Sequence, residues 1–164
     1  MRGQKELYEV LAELDIRFEY HEHPPLATIE EAIVHWKDYD SGRCKNIFFR
    51  NHKGNRHYLV ILEHLRQLDI HDLEKRLRQG KLTFASDARL KKYLGLEPGS
   101  VSPFGLINDK DNHVHLFIDE KLKEYERLAF HPNVNTASLV ISKPDFLRFL
   151  EYSGNTWEFL KLYD

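Results

Sequence analysis

Only one cysteine, Cys44, stands among the 164 residues, so no disulfide within the chain can staple the fold, and such sparing use is typical of a reducing compartment. Long apolar runs are missing too. No stretch approaches the roughly 20 residues that cross a bilayer, and the opening Met1-Arg2-Gly3-Gln4-Lys5-Glu6 lacks the apolar core of a secretory signal, so a cytoplasmic protein is expected. Nor is there an excess of one charge. The 24 Lys and Arg nearly balance 26 Asp and Glu, leaving a net −2, and no global positive field gathers nucleic acid, so any RNA contact has to use a local patch. Clusters such as Lys75, Arg76, Arg78 and Lys81, or Arg89 with Lys91 and Lys92, offer such patches, although solvated helix faces read the same way. The phosphate loop G-x-x-x-x-G-K-[ST], a strand-linked G-x-G-x-x-G and a basic-aromatic RNA-reading motif are all absent, which removes the usual fingerprints of nucleotide hydrolysis and dinucleotide chemistry.

What remains is an ordinary globular composition, 41% hydrophobic and 12% aromatic, enough for the core of one domain over residues 1–164. Leu7, Val10, Leu11 and Leu14 recur at helical spacing and predict a helix over 4–14, followed by a strand over 17–21 that Pro24-Pro25 ends. Thr28 with Glu31 forms a capping box for a second helix carrying Ala32, Ile33 and Trp36. Apolar runs at 46–49 and 58–62 flank Asn51-His52-Lys53-Gly54-Asn55, a hairpin signal. Helices are expected over 69–77, 86–94, 120–125 and 144–150, and strands over 81–85, 114–118 and 139–142. Strands and helices without a regular βαβ repeat favour an α+β fold with a mixed, mostly antiparallel sheet flanked by helices.

Three segments carry candidate chemistry. Lys45-Asn46 opens the apolar run Ile47-Phe48-Phe49, and a lysine there can hold a polarised or anionic oxygen; on pattern alone an exposed strand-end lysine is the more ordinary reading. Gly99-Ser100-Val101-Ser102-Pro103 can offer backbone N–H groups to a ligand, or simply connect two elements. His131-Pro132-Asn133-Val134-Asn135 sets a titratable ring in a rigid turn near two amides that can orient it. Ser100 and Ser102 lack a nucleophile-elbow context. His21/His23 and His113/His115 are H-x-H pairs that would share a strand face, without the further ligands that complete a metal site. Cys44 reads as a small packed side chain.

Four features in order, His23-Pro24-Pro25, Cys44-Lys45-Asn46, the GSVSPFGL loop from Gly99 to Leu106, and the HPNVNTAS segment from His131 to Ser138, resemble the YbaK-like editing domains associated with prolyl-tRNA synthetase, and among them the free-standing PrdX-type deacylases. The resemblance runs over nearly the whole chain. It implies a barrel-like sheet and hydrolysis of a mischarged tRNA for proline, with alanine removed in preference to cysteine or serine, and it reverses the odds for Lys45. It assigns Lys45, Gly99 and His131 to catalysis, and Tyr20, Leu26, Thr28, Val34, Asn46, Ser100, Val101, Ser102, Pro103 and Asn135 to substrate binding. No metal or cofactor is implied. The expected partners are the tRNA acceptor end and, transiently, prolyl-tRNA synthetase, with a monomer or weak dimer. The competing reading is a non-catalytic tRNA or amino-acid sensor of the same fold.

Overall fold

The structure, a computed structural model, describes residues 1–25, 42–63 and 66–164. The helix expected from Thr28 and the pocket residues Leu26, Thr28 and Val34 lie outside the described residues.

Helix α1 (Lys5–Glu13) buries Leu7 and Leu11, two of the four periodic leucines and valines, and leads to β1 (Glu19–Glu22). Strands β2 (Gly42–Asn51) and β3 (His57–Glu63) form the expected hairpin, with Phe49 opposite Tyr58. Helix α2 (Ile70–Leu77) starts where the Asp69 carboxylate accepts from the His71 and Asp72 amides, and α3 (Asp87–Leu94) starts at the Ser86 hydroxyl, which accepts from the Arg89 amide. Between them runs the short β4 (Leu82–Phe84). A 3-10 helix (Pro103–Asn108), β5 (His115–Asp119), a second 3-10 helix (Glu120–Glu124), β6 (Arg127–Phe130), β7 (Ala137–Ser142), α4 (Lys143–Ser153) and β8 (Trp157–Leu160) complete the described order.

The strands join in the order β1-β7-β6-β2-β3-β5-β8, with β4 attached to β2. Four of the described pairings are antiparallel and three, β2 with β6, β3 with β5 and β5 with β8, are parallel. The α+β class is as expected, but the barrel-like closure is not: the path ends at β1 and β8, which do not pair with each other.

Alternation along the central hairpin splits its side chains between two apolar clusters. Phe48, Leu59 and Ile61 join the main core with α1, α3 and α4, while Phe49, Tyr58, Val60 and Leu62 join a second cluster with Leu73 and Leu77 of α2. A strand buried on both faces reads as the continuous apolar run seen at 58–62. On the edge of β2 opposite β3, β6 pairs at Gly42 and Arg43 and β4 pairs from Phe49 to Asn51, with the Ala85 amide after β4 donating to the Phe48 carbonyl, so among the described residues no strand covers 44–47.

Candidate active site

Lys45 and Asn46 lie beside this uncovered stretch of β2. The strand begins at Gly42, so Lys45 stands inside it and not at its start. Consecutive strand residues point to opposite faces. Lys45 shares a side with Ile47 and Phe49, and its Nζ donates to the Arg66 carbonyl oxygen at 3.1 Å. Arg66 also lines a groove of about 350 Å³ with Asp119, Lys161 and Tyr163 among others. Asn46 lies on the other side with Cys44 and Phe48, and its Oδ1 is buried without a hydrogen-bond partner. An amide oxygen left bare in a protein interior costs about 1–3 kcal/mol, a cost that a ligand's N–H or O–H would relieve.

The glycine loop approaches from α3. Gly99 has φ +87, and a β-carbon built on it would lie 3.5 Å from the Asn135 amide nitrogen, so the second and third candidate segments meet here. The serines beside it are spent on local structure. The Ser100 hydroxyl donates to the Glu97 carbonyl at 2.8 Å, and the Ser102 oxygen accepts from the Phe104 amide, capping the 3-10 helix that Pro103 begins. Neither is a free nucleophile. Val101 is half-buried against the main core.

His131 follows β6, where the parallel register with β2, continued two residues past Arg43 and Ala129, would bring it level with Lys45. Its Nδ1 donates to the Ala137 carbonyl at 2.8 Å, which fixes the tautomer and leaves Nε2 as an acceptor with no hydrogen bond among the described residues. Burial pushes the imidazole below its ordinary pKa, against the opposing pull of the Ala137 carbonyl, so the ring is neutral near pH 7. The His23 ring stands 5.7 Å away. It donates from Nδ1 to the Pro24 carbonyl at 3.0 Å, so in the neutral ring Nε2 accepts from the Ser138 hydroxyl at 2.8 Å.

Asn133 braces the turn. Its backbone is left-handed, φ 65, a conformation asparagine tolerates better than most residues. Its amide donates to Gln4 Oε1 at 2.8 Å, the Gln4 backbone amide donates to the Pro132 carbonyl, and Gln4 and Asn108 exchange amide hydrogen bonds. The amino-terminal segment is thus tied to the back of the His131 turn.

The structure therefore brings Gly99 close to Asn135 and His131 close to His23, and sets Asn46 on the edge of β2. Among the described residues the Lys45 ammonium donates to Arg66 and not to the glycine loop or His131. Tyr20 packs against the main core with its hydroxyl donating to Glu22 and accepting from the Arg2 amide. The H-x-H pairs do not act as pairs: His23 leaves the strand for Ser138, and His113 meets His57. Among the described residues no group of three or more His, Cys, Asp or Glu could hold a metal ion. Burial, and then Glu63, push the Cys44 thiol up, away from the reactive thiolate. Sequence reasoning missed the supporting roles of His23, Ser138 and Gln4. Only Asn133, an asparagine directly after a proline, carried a local signal.

The fold defines a small α+β protein whose candidate residues include a buried amide oxygen without a hydrogen-bond partner among the described residues, a glycine loop and a neutral imidazole, groups able to position and polarise a bound molecule. The chain belongs to the aminoacyl-tRNA editing domain family, which matches it over residues 23–149. It is 37% identical to the prolyl-tRNA editing protein ProX of Acetoanaerobium sticklandii over 99% of both chains. It is also 35% identical to prolyl-tRNA synthetase associated domain-containing protein 1 of Xenopus laevis, over 93% of this chain and 92% of that one. Among solved structures it superposes on a candidate trans-editing enzyme for prolyl tRNA synthetase with a TM-score of 0.68, at 22% identity and covering 98% of this chain and 99% of that one, a likeness that bears on the fold alone. No helix among the described residues is long and apolar enough to cross a membrane.

Proposed function

We propose that residues 1–164 form one editing domain that hydrolyses the ester joining a wrongly attached amino acid to the 3′-terminal ribose of a tRNA, with alanine on the tRNA for proline as its substrate. The observation that carries this reading is the relative named as a prolyl-tRNA editing protein, 37% identical along 99% of both chains. An aminoacyl ester is already activated, so the enzyme has to place water, relieve oxyanion charge and exclude the correct product.

In this reading the Gly99 loop supplies backbone N–H groups to the ester oxygen, with Ser100, Val101, Ser102 and Pro103 setting its path. Asn46 Oδ1 accepts from the ribose or the amino group, and Asn135 keeps the loop in register. Lys45 swings from the Arg66 carbonyl to anchor the ester or the terminal phosphate, its ammonium keeping two further donors for the purpose. His131 Nε2 accepts from water or from the free ribose hydroxyl, which takes part in activating that water. Tyr20, Leu26, Thr28 and Val34 wall a pocket that admits alanine and rejects proline, the second sieve of a double-sieve arrangement. The protein works in the cytoplasm as a monomer or weak dimer, meeting prolyl-tRNA synthetase only in passing.

The test is release of labelled amino acid from tRNA for proline charged with alanine, cysteine, serine or proline. Fast release of alanine with proline spared is expected. Equal release of all four would overturn the sieve, and binding without any release would favour a sensor.

A further inference from the structure

We propose that the face made by the β2–β3 turn and α3 is the surface on which the backbone of the tRNA acceptor arm lies, an inference that rests on the substrate class proposed above. In a chain of net charge −2, segments 50–57 and 83–93 hold Arg50, Lys53, Arg56, Arg89, Lys91 and Lys92 against one carboxylate, Asp87. Lys91 is engaged by Glu97 at 3.1 Å. The two segments are one surface because Arg89 joins them: its guanidinium donates to the Gly54 carbonyl at 2.9 Å and to His57 Nε2 at 3.0 Å. Lys53, Arg56 and Lys92 are exposed.

Independent observations point the same way. His57 beneath this surface titrates at about 4, pushed down first by burial and then by the charges of His113, Arg89, Lys92 and Arg50, so several cations converge on one place. Beside Arg50, β4 presents Phe84, 57% exposed and stacked on Phe49 at 5.1 Å between ring centres. Cations flanked by an exposed ring are what a nucleic-acid backbone with unpaired bases binds.

The spacing fits the proposed site. Lys45 and Arg50 are five residues apart on β2, roughly 17 Å at the rise of a strand. A strand stacked at about 3.4 Å per nucleotide covers that distance in about five nucleotides. A 3′ end held beside Lys45 and Asn46 therefore carries the preceding nucleotides onto the cationic face.

The experiment measures binding of uncharged tRNA and of an acceptor-arm minihelix across a range of salt, with steady-state deacylation alongside. It compares wild type, the double variant Lys53→Glu with Lys92→Glu, and a charge-matched control, Arg17→Glu with Lys110→Glu, exposed residues outside the two segments. The expected result for the first variant is affinity about tenfold weaker, a shallower salt slope by about two, and a raised KM with kcat within about twofold of wild type. The control should stay near wild type. Unchanged affinity and slope, or an equal fall in the control, would overturn the proposal. Salt-dependent binding lost in the variant while wild type releases no amino acid would keep the surface and discard the editing reaction; full editing at unchanged KM in the variant would do the reverse.

Discussion

At the scale of single residues, the site depends on backbone conformations that few side chains accept. Gly99 holds φ +87 with only the Asn135 amide nearby, so Gly99→Ala meets strain and not a clash. The expected cost is about 1 kcal/mol, a melting temperature lower by roughly 2–4 °C, with kcat down tenfold or more because the loop N–H groups move off the ester oxygen. Thermal melting and kcat on alanyl-tRNA check it, and a full rate at the lowered melting temperature would remove the loop from the chemistry. Lys45, Asn46, Gly99 and His131 stood out in the sequence as candidates by residue type and setting. That Lys45 and Asn46 face opposite sides follows from period-two alternation once β2 is known to begin at Gly42. The ties of the serine hydroxyls and His23 were not legible, because each joins residues through turns whose path only the folded chain sets.

At the scale of elements, a polar pin holds the central hairpin to α3. Arg89 always donates, so His57 Nε2 has to accept; His57 Nδ1 then donates to His113 Nε2 at 2.8 Å, and the His57 ring stays neutral. A proton on His57 breaks the pin. The folded value of about 4 lies below the ordinary 6.5, so the unfolded chain binds the proton more readily, and stability is full above about pH 6.5 and is lost as pH falls towards 4. The loss is on the order of 1–2 kcal/mol after solvent screening. His57→Gln should flatten the acid limb of a curve of melting temperature against pH relative to wild type, and an unchanged limb would show that other groups set it. The elements themselves were largely readable. The Asn51–Asn55 turn between apolar runs announced the hairpin, and Ser86 and Asp69 announced helix starts. Strand β6, four residues of Arg-Leu-Ala-Phe, and β8, Trp-Glu-Phe-Leu, were missed because they are too short to show a period and owe their extended form to partners far along the chain.

At the scale of the whole molecule, the described strands form a mixed sheet whose path runs from β1 to β8, and their order places the ends of β6 and β4 on the same edge of β2 with no described strand over 44–47 between them. Composition could not reveal this, since parallel pairing of β2 with β6 joins residues 86 positions apart. The barrel-like closure expected from resemblance failed for the same reason: closure is a property of strand order, which no local pattern encodes. The balance of charge was read correctly as excluding a global positive field, and its uneven distribution appeared only when Arg89 joined two separated segments. The central claim is that the stretch of β2 at Lys45 and Asn46 hydrolyses a mischarged tRNA, and the most direct measurement is single-turnover alanine release from alanyl-tRNA for proline by wild type and Lys45→Ala, with tRNA affinity measured in parallel. A rate lowered about a hundredfold or more, with affinity for uncharged tRNA within about threefold, is the predicted result. A variant that releases alanine at the wild-type rate would contradict it.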